Sequence, residues 1–222
     1  MEQKMGKLVI VRHGESEWNI KGIWTGITDV HLSEHGYLES KKIGELIRDL
    51  HFDQIIISTL VRTKETLEAM EETNDTLKKV PIIESYEIRE RDYGDYTGKN
   101  KWEMRDLLGE EKFKEIRRSW DGPIPNGESL KMVYERTIPY FLDKILPILK
   151  DGKNVLIVAH GNSIRSIVKY IENISDTEIP LLEIPFEEVL IYDLDTDGHI
   201  LQKEIRSIDS HPDKKSKYNN HI

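Results

Sequence analysis

Twice in this chain an unbroken aliphatic run stops at a histidine followed by a glycine: Leu8-Val9-Ile10-Val11-Arg12-His13-Gly14 and Val155-Leu156-Ile157-Val158-Ala159-His160-Gly161. Runs of four or five aliphatics that end in polar residues fit strands covered on both faces, as in a parallel sheet. Ligands bind such sheets in the crevice beyond the carboxyl ends of the strands. Both imidazoles are therefore expected at one edge, where Gly14 lets the backbone turn sharply and approach a ligand. An imidazole can act as a nucleophile toward phosphorus, and Arg12 carries a planar fork of donors suited to a phosphoryl group. A lone histidine here also fits a hydrogen-bonded core role, so partners elsewhere decide between the two.

The chain between these runs alternates strand and helix. Ser33 is a suitable helix cap, and Ile43, Leu46, Ile47 and Leu50 recur at i, i+3, i+4 and i+7, which predicts an amphipathic helix to about Leu50. Gln54–Ser58 reads as a second buried strand, followed by a helix to about Glu72. This order argues for a parallel sheet with right-handed crossovers. Residues 80–100, punctuated by Pro81, Gly94 and Gly98, read as an excursion from the sheet. Lys101 to Arg118 reads as helical, with Trp102, Met104, Leu107, Leu108, Phe113 and Ile116 as its buried stripe. After the breakers of 121–127, Ser129 caps a long helix that Pro139 and Pro147 are placed to kink. Val189–Leu194 and Ile200–Ile205 read as final strands joined by a turn at Asp197-Gly198. Residues 1–205 are expected to form one catalytic domain, and the polar, lysine-rich 206–222 a flexible or cleft-capping tail.

Composition narrows the class. With 222 residues, 37% hydrophobic and 33% charged, the chain can bury a core. No apolar run approaches a membrane span, and Met1–Lys7 lacks the apolar centre of a signal peptide. There are no cysteines, which excludes disulfides and thiolate chemistry and agrees with a reducing compartment, so a cytoplasmic location is expected. A net charge of −9 argues against nucleic acid as partner, though a cleft can still attract a small anion. No His-x-x-x-His or Asp-x-Asp cluster suggests a metal.

The eight residues Arg12-His13-Gly14-Glu15-Ser16-Glu17-Trp18-Asn19 resemble the signature of the histidine phosphatase superfamily, and within it of the cofactor-dependent phosphoglycerate mutases. Further segments resemble that family in order. They are Ser58 through Arg62, Glu90-Arg91-Asp92-Tyr93-Gly94, Lys101, the pair Arg117-Arg118, and Ala159-His160-Gly161-Asn162-Ser163-Ile164-Arg165. The resemblance runs from Lys7 to Ile205. It implies a three-layer α/β sandwich, with a mostly parallel central sheet and helices on both faces.

It also implies roles. His13 would be the nucleophile, its non-attacking nitrogen held by a backbone carbonyl such as that of Gly14. His160, Arg12, Arg62 and the amides of Gly161 and Asn162 would stabilise the transferring phosphoryl group, and Glu90 would be the general acid and base. Asn19, Thr25, Gly26, Tyr93, Lys101, Arg117 and Arg118 would hold the rest of the substrate. The expected reaction interconverts 3-phosphoglycerate and 2-phosphoglycerate, primed by 2,3-bisphosphoglycerate and without a metal. The partner is a small anionic phosphoglycerate, with no nucleic acid or membrane; a homodimer and a monomer both stay open. The residues themselves leave blander readings in place, with each cation a solvated surface charge and Glu90 a salt-bridge partner.

Several positions depart from the family. Ile88-Arg89 stands before the Glu-Arg pair, Lys99 where leucine is common, and Ile184-Pro185-Phe186-Glu187-Glu188-Val189 where a Thr-Gly-Val-Pro run is usual. Between Arg118 and Gly127 the chain is short, as in the short form of the family. A phosphatase acting on bisphosphoglycerate or other phosphate esters, and a non-catalytic phosphate-binding module, remain as alternatives.

Overall fold

The computed structural model describes residues 5–196 and 198–208. Strand β1 (Leu8–Arg12) is followed by the single turn α1 (Glu17–Ile20) and helix α2 (Glu34–Leu46), then β2 (Gln54–Ser58), α3 (Val61–Thr73) and β3 (Ile82–Ser85). Helices α4 (Lys101–Leu108), α5 (Glu110–Arg118) and α6 (Leu130–Tyr140) come next, α6 running through a π turn (Phe141–Ile145) into α7 (Leu146–Lys150). The chain closes with β4 (Val155–Ala159), α8 (Gly161–Ile171), β5 (Glu188–Leu194) and β6 (Ile200–Ser207).

The strands form one sheet in the order β3-β2-β4-β1-β5-β6. β1, β4, β2 and β3 are mutually parallel, while β5 runs antiparallel to β1 and β6 antiparallel to β5. Strand alternation divides the core between the two faces. Val9, Val11, Ile55 and Ile57 pack with Ile43, Ile47, Leu67 and Met70 under α2 and α3. Leu8, Ile10, Ile56 and Ile157 point the other way, onto Phe141, Ile145, Ile164 and Ile167 of the α6–α8 side. The mostly parallel three-layer α/β sandwich expected from the resemblance is therefore present. A third cluster, Trp24, Met104, Phe113, Ile116 and Ile124, seats α4 and α5 as a cap. No described helix is long and apolar enough to cross a membrane.

Register places the two histidines. Arg12 pairs with Ala159 on the adjacent strand, so His13 and His160 both follow the last paired residues of β1 and β4. His13 N extends the ladder by donating to Ala159 O at 2.9 Å. Gly14 and Gly36 cross here at van der Waals range; a Cβ on Gly14 would lie 2.5 Å from Gly36 O.

Some expectations need correction. Helix α2 ends at Leu46, because Ile47 leaves helical geometry and Leu50 N turns back to Ile47 O, keeping Leu50 on the core without a further helical turn. Residues 80–100 are only in part an excursion: Ile82–Ser85 joins the sheet as an edge strand, and Pro81 precedes it where no ladder donor is needed. The segment Lys101–Arg118 is two helices broken at Gly109 (φ +82°), and of its expected stripe Trp102 and Leu107 are exposed, at 50% and 76%. The tail does not start at Arg206. Arg206 and Ser207 belong to β6, where Arg206 is tied to Asp49 and to Leu46 O. The rest of the expected tail, residues 209–222, and Asp197 of the expected turn lie outside the described residues.

Candidate active site

Beyond the C-terminal ends of β1, β2 and β4 lies an open cavity lined by Arg12, His13, Asn19, Trp24, Thr25, Gly26, Arg62, Glu90, Tyr93 and Lys101. His13 is 3% exposed, and its Nδ1 lies 2.7 Å from Gly14 O. A carbonyl only accepts, so Nδ1 carries the proton and Nε2 keeps its lone pair. Burial, with Arg62 and then Arg12 adding to it, holds the His13 pKa well below its ordinary value. The ring is therefore neutral, as a nucleophile must be. Burial outranks the surrounding cations as the cause.

His160 faces His13 with ring centroids 5.0 Å apart. Its Nε2 shares a 2.6 Å hydrogen bond with Ser58 Oγ at the end of β2, while Nδ1 is buried without a partner. Burial and the charge of Arg62 hold this imidazole neutral too. Arg62, 1% exposed on the first turn of α3, donates to Gly26 O at 2.8 Å and Thr28 O at 3.1 Å, and burial lowers its pKa to about 10. It remains charged at neutral pH. Gly26 reaches this position with φ +55°, a conformation that favours glycine.

Glu90 is also buried. Its Oε1 accepts from Arg91 N (2.7 Å), Asn162 N (3.2 Å) and Asn162 Nδ2 (2.9 Å), which leaves Oε2 beside Gly161. This corrects one expected role: the Asn162 amide at the start of α8 is committed to Glu90 instead of pointing at a phosphoryl group. Asn162 Nδ2 also reaches Tyr93 Oη at 3.2 Å, and Arg165 fixes the amide by donating to Asn162 Oδ1 at 3.2 Å. The reading of Glu90 as a simple salt-bridge partner fails, since its hydrogen bonds are to backbone and amide donors.

Lys101, the first residue of α4, enters the cavity, and burial lowers its pKa. Asn19 also lines it while capping its own helix from Ser16. Arg117 and Arg118 do not line the cavity. They end α5, where Arg117 lies over Phe113 at 5.4 Å and Arg118 pairs with Glu183 and donates to Leu182 O.

Sequence reading missed four supports. Ser58 holds His160; Thr66 Oγ1 accepts from Gly14 N at 2.9 Å; Arg165 steadies Asn162; and Phe186 stacks beneath Arg12, 3.7 Å from its Cζ. Ser58 carried a signal as the polar end of a buried strand, and Arg165 as the last residue of a family-like segment; Thr66 carried none.

The ligand atoms of His13, Glu90 and His160 lie within 4.8 Å of one another, the spacing of a metal site. Arg12 and Arg62 flank that point, however, and two guanidinium groups favour an anion there over a cation. The buried, unpartnered Trp24 Nε1, Thr25 Oγ1 and His160 Nδ1 add polar groups that a phosphorylated ligand could engage.

The family model described as histidine phosphatase superfamily (branch 1) matches residues 8–204. The chain belongs to this superfamily. A 2,3-bisphosphoglycerate-dependent phosphoglycerate mutase of Parvibaculum lavamentivorans is 43% identical over 201 residues, covering 89% of this chain and 95% of the relative. One of the same name from Streptococcus sanguinis is 40% identical, covering 90% and 98%. Among solved structures, YhfR of Bacillus stearothermophilus superposes with a TM-score of 0.75 at 25% identity over 88% of this chain and 94% of its own. The α-ribazole phosphatase of Shigella flexneri gives 0.74 at 20% identity over 92% and 96%, a likeness of fold. The matched residues 8–204 include both His13 and His160.

Proposed function

We propose that this protein is a 2,3-bisphosphoglycerate-dependent phosphoglycerate mutase, interconverting 3-phosphoglycerate and 2-phosphoglycerate. The observation that carries this reading is the neutral His13, with Nδ1 fastened to Gly14 O and the ring facing a cavity that also holds Arg12, Arg62, Glu90 and Lys101. A phosphatase needs only the phosphate pocket. Lys101 adds a cation suited to a carboxylate or second phosphate, and the 40–43% identical relatives carry the mutase name.

Bound 2,3-bisphosphoglycerate would supply the phosphoryl group that primes the protein. His13 Nε2 takes the phosphoryl group and later returns it. Arg12 and Arg62 balance the charge on its oxygens, and His160 donates from Nδ1 once Ser58 holds its Nε2 as acceptor. Glu90 gives a proton to the leaving oxygen through Oε2 and removes one from the incoming hydroxyl, with Oε1 anchored throughout. Thr25, Gly26, Asn19, Tyr93 and Lys101 would orient the carbon chain. Arg117 and Arg118 would join them only after leaving their present partners.

The same reading takes the protein as one catalytic domain ending with β6, located in the cytoplasm, working without a metal, and with no nucleic acid or membrane partner. A homodimer and a monomer are equally compatible with it. The test mixes protein, 3-phosphoglycerate and a trace of 2,3-bisphosphoglycerate in the presence of EDTA, and follows 2-phosphoglycerate and inorganic phosphate together. The mutase reading expects isomerisation that depends on the trace and releases little phosphate. Phosphate release without isomerisation would make the protein a phosphatase, and loss of turnover with EDTA would overturn the metal-free account.

A further inference from the structure

The segment Ile184-Pro185-Phe186-Glu187, where the sequence departs from the mutase pattern, lies directly against the phosphoryl-handling groups. The Phe186 ring takes the Arg12 guanidinium on its face, with Cζ 3.7 Å from the centroid. The same ring meets His13 edge-on, with centroids 5.7 Å apart at 63°. Arg12 Nη1 donates to Ile184 O at 2.6 Å. His13 and His160 are almost wholly buried, whereas Phe186 is only half-buried. The ring therefore covers His13 and Arg12 on one side, with its outer part reaching solvent.

Building on the mutase reading, we propose that Phe186 is a positioning residue and a water screen: it holds the Arg12 fork in place and keeps water from phosphorylated His13. An aromatic face suits a guanidinium because the group is planar and weakly hydrated. The same ring itself offers no polar atom to hold an attacking water. Phosphorylated His13 has two fates that differ only in the acceptor. In one, water oxygen bonds phosphorus, the N–P electron pair returns to Nε2, and a water proton passes to Glu90, giving inorganic phosphate. In the other, a phosphoglycerate hydroxyl forms the O–P bond and gives its proton to Glu90, yielding the bisphosphorylated product. Phe186 blocks the first without touching the second.

The test uses the full chain as wild type, Phe186→Ala and Phe186→Leu, each charged on His13 with phosphoramidate so that loading does not depend on bisphosphoglycerate. The readouts are the lifetime of the phosphohistidine in buffer and the affinity for inorganic phosphate. Phe186→Ala should shorten the lifetime by about fivefold or more as water enters. Phe186→Leu should keep the lifetime within about twofold of wild type, because the apolar screen remains. Both variants should bind phosphate about fivefold more weakly, the scale of one cation–π contact. If Phe186→Ala fails to fold, Phe186→Thr takes its place with the same expectation. Wild-type lifetime in the small-residue variant, or a lifetime in Phe186→Leu as short as in that variant, overturns the proposal. Wild type that charges on His13 but does not isomerise 3-phosphoglycerate sinks the mutase reading instead, and the lifetimes still judge Phe186.

Discussion

At the sheet end of the cavity, each group placed to meet a phosphoryl is fixed by backbone or buried partners, whereas at the outer rim Arg118 is held by a surface pair that a ligand can exchange. His13 is tied to Gly14 O, His160 to Ser58, Arg62 to Gly26 and Thr28, and Glu90 to three N–H donors. Arg118 is paired with Glu183, which is 57% exposed, and Arg117 lies over Phe113. Charge transfer to and from phosphorus rewards groups that need no reorganisation. A rim that must admit a substrate, let it turn and release it rewards exchangeable contacts. The contrast predicts large effects on turnover at the sheet end and small effects on affinity at the rim.

The sharpest break should come at Glu90. Glu90→Gln keeps the size and an acceptor for Arg91 N and Asn162 but cannot move a proton, so turnover should fall by about 10²- to 10⁴-fold. Steady-state kinetics check this, and a loss below tenfold would move the acid–base role elsewhere. Ser58→Ala removes the partner of His160 Nε2. One neutral hydrogen bond of about 1 kcal/mol corresponds to a loss of roughly fivefold to tenfold in the rate of phosphohistidine formation. Ser58→Thr, which keeps the hydroxyl, should restore it.

The buried neutral histidines also set a pH dependence of stability. Both His13 and His160 have folded-state pKa values well below 6.5, the ordinary value that the unfolded chain regains. As pH falls below that value the unfolded state takes up protons that the folded state refuses, so stability is full above it and is lost toward acid. Each histidine contributes a slope of at most about 1.4 kcal/mol per pH unit. Urea unfolding at pH 7.5 and 5.5 should show a smaller difference for His160→Gln than for wild type. An equal difference would mean that His160 is charged in the fold. The smallest effect belongs to the rim. Glu183→Ala removes the carboxylate that occupies Arg118, so KM should fall by less than about threefold with kcat unchanged, as exposed ion pairs are weak. A large loss of kcat instead would place Glu183 in the fixed end of the site.

The same division explains what the sequence made legible. Strands β1, β2 and β4 and their terminal residues could be read directly, because a buried strand is a contiguous signal and its end carries the chemistry. Glu90, Tyr93 and Lys101 followed from the resemblance to the mutase family. Thr66 and Phe186 act through contacts with residues at or just beyond the end of β1, distant in the chain, and no periodicity announces them. The directions of Arg117 and Arg118 were equally hidden, since each depends on a partner, Phe113 or Glu183, chosen by the packing of α5. The Gly109 break within Lys101–Arg118 is masked in the sequence because both halves have high helical propensity. A single glycine at φ +82° outweighs that propensity.

The central claim is that His13 Nε2 is the phosphoryl acceptor. Brief incubation with labelled 2,3-bisphosphoglycerate, followed by denaturation, should give wild type a label stable to alkali and lost in acid, as expected of phosphohistidine. His13→Ala should carry none, while His160→Ala should be labelled slowly but at the same position. Undiminished label on His13→Ala would contradict the account and move the nucleophile to another residue of the cavity.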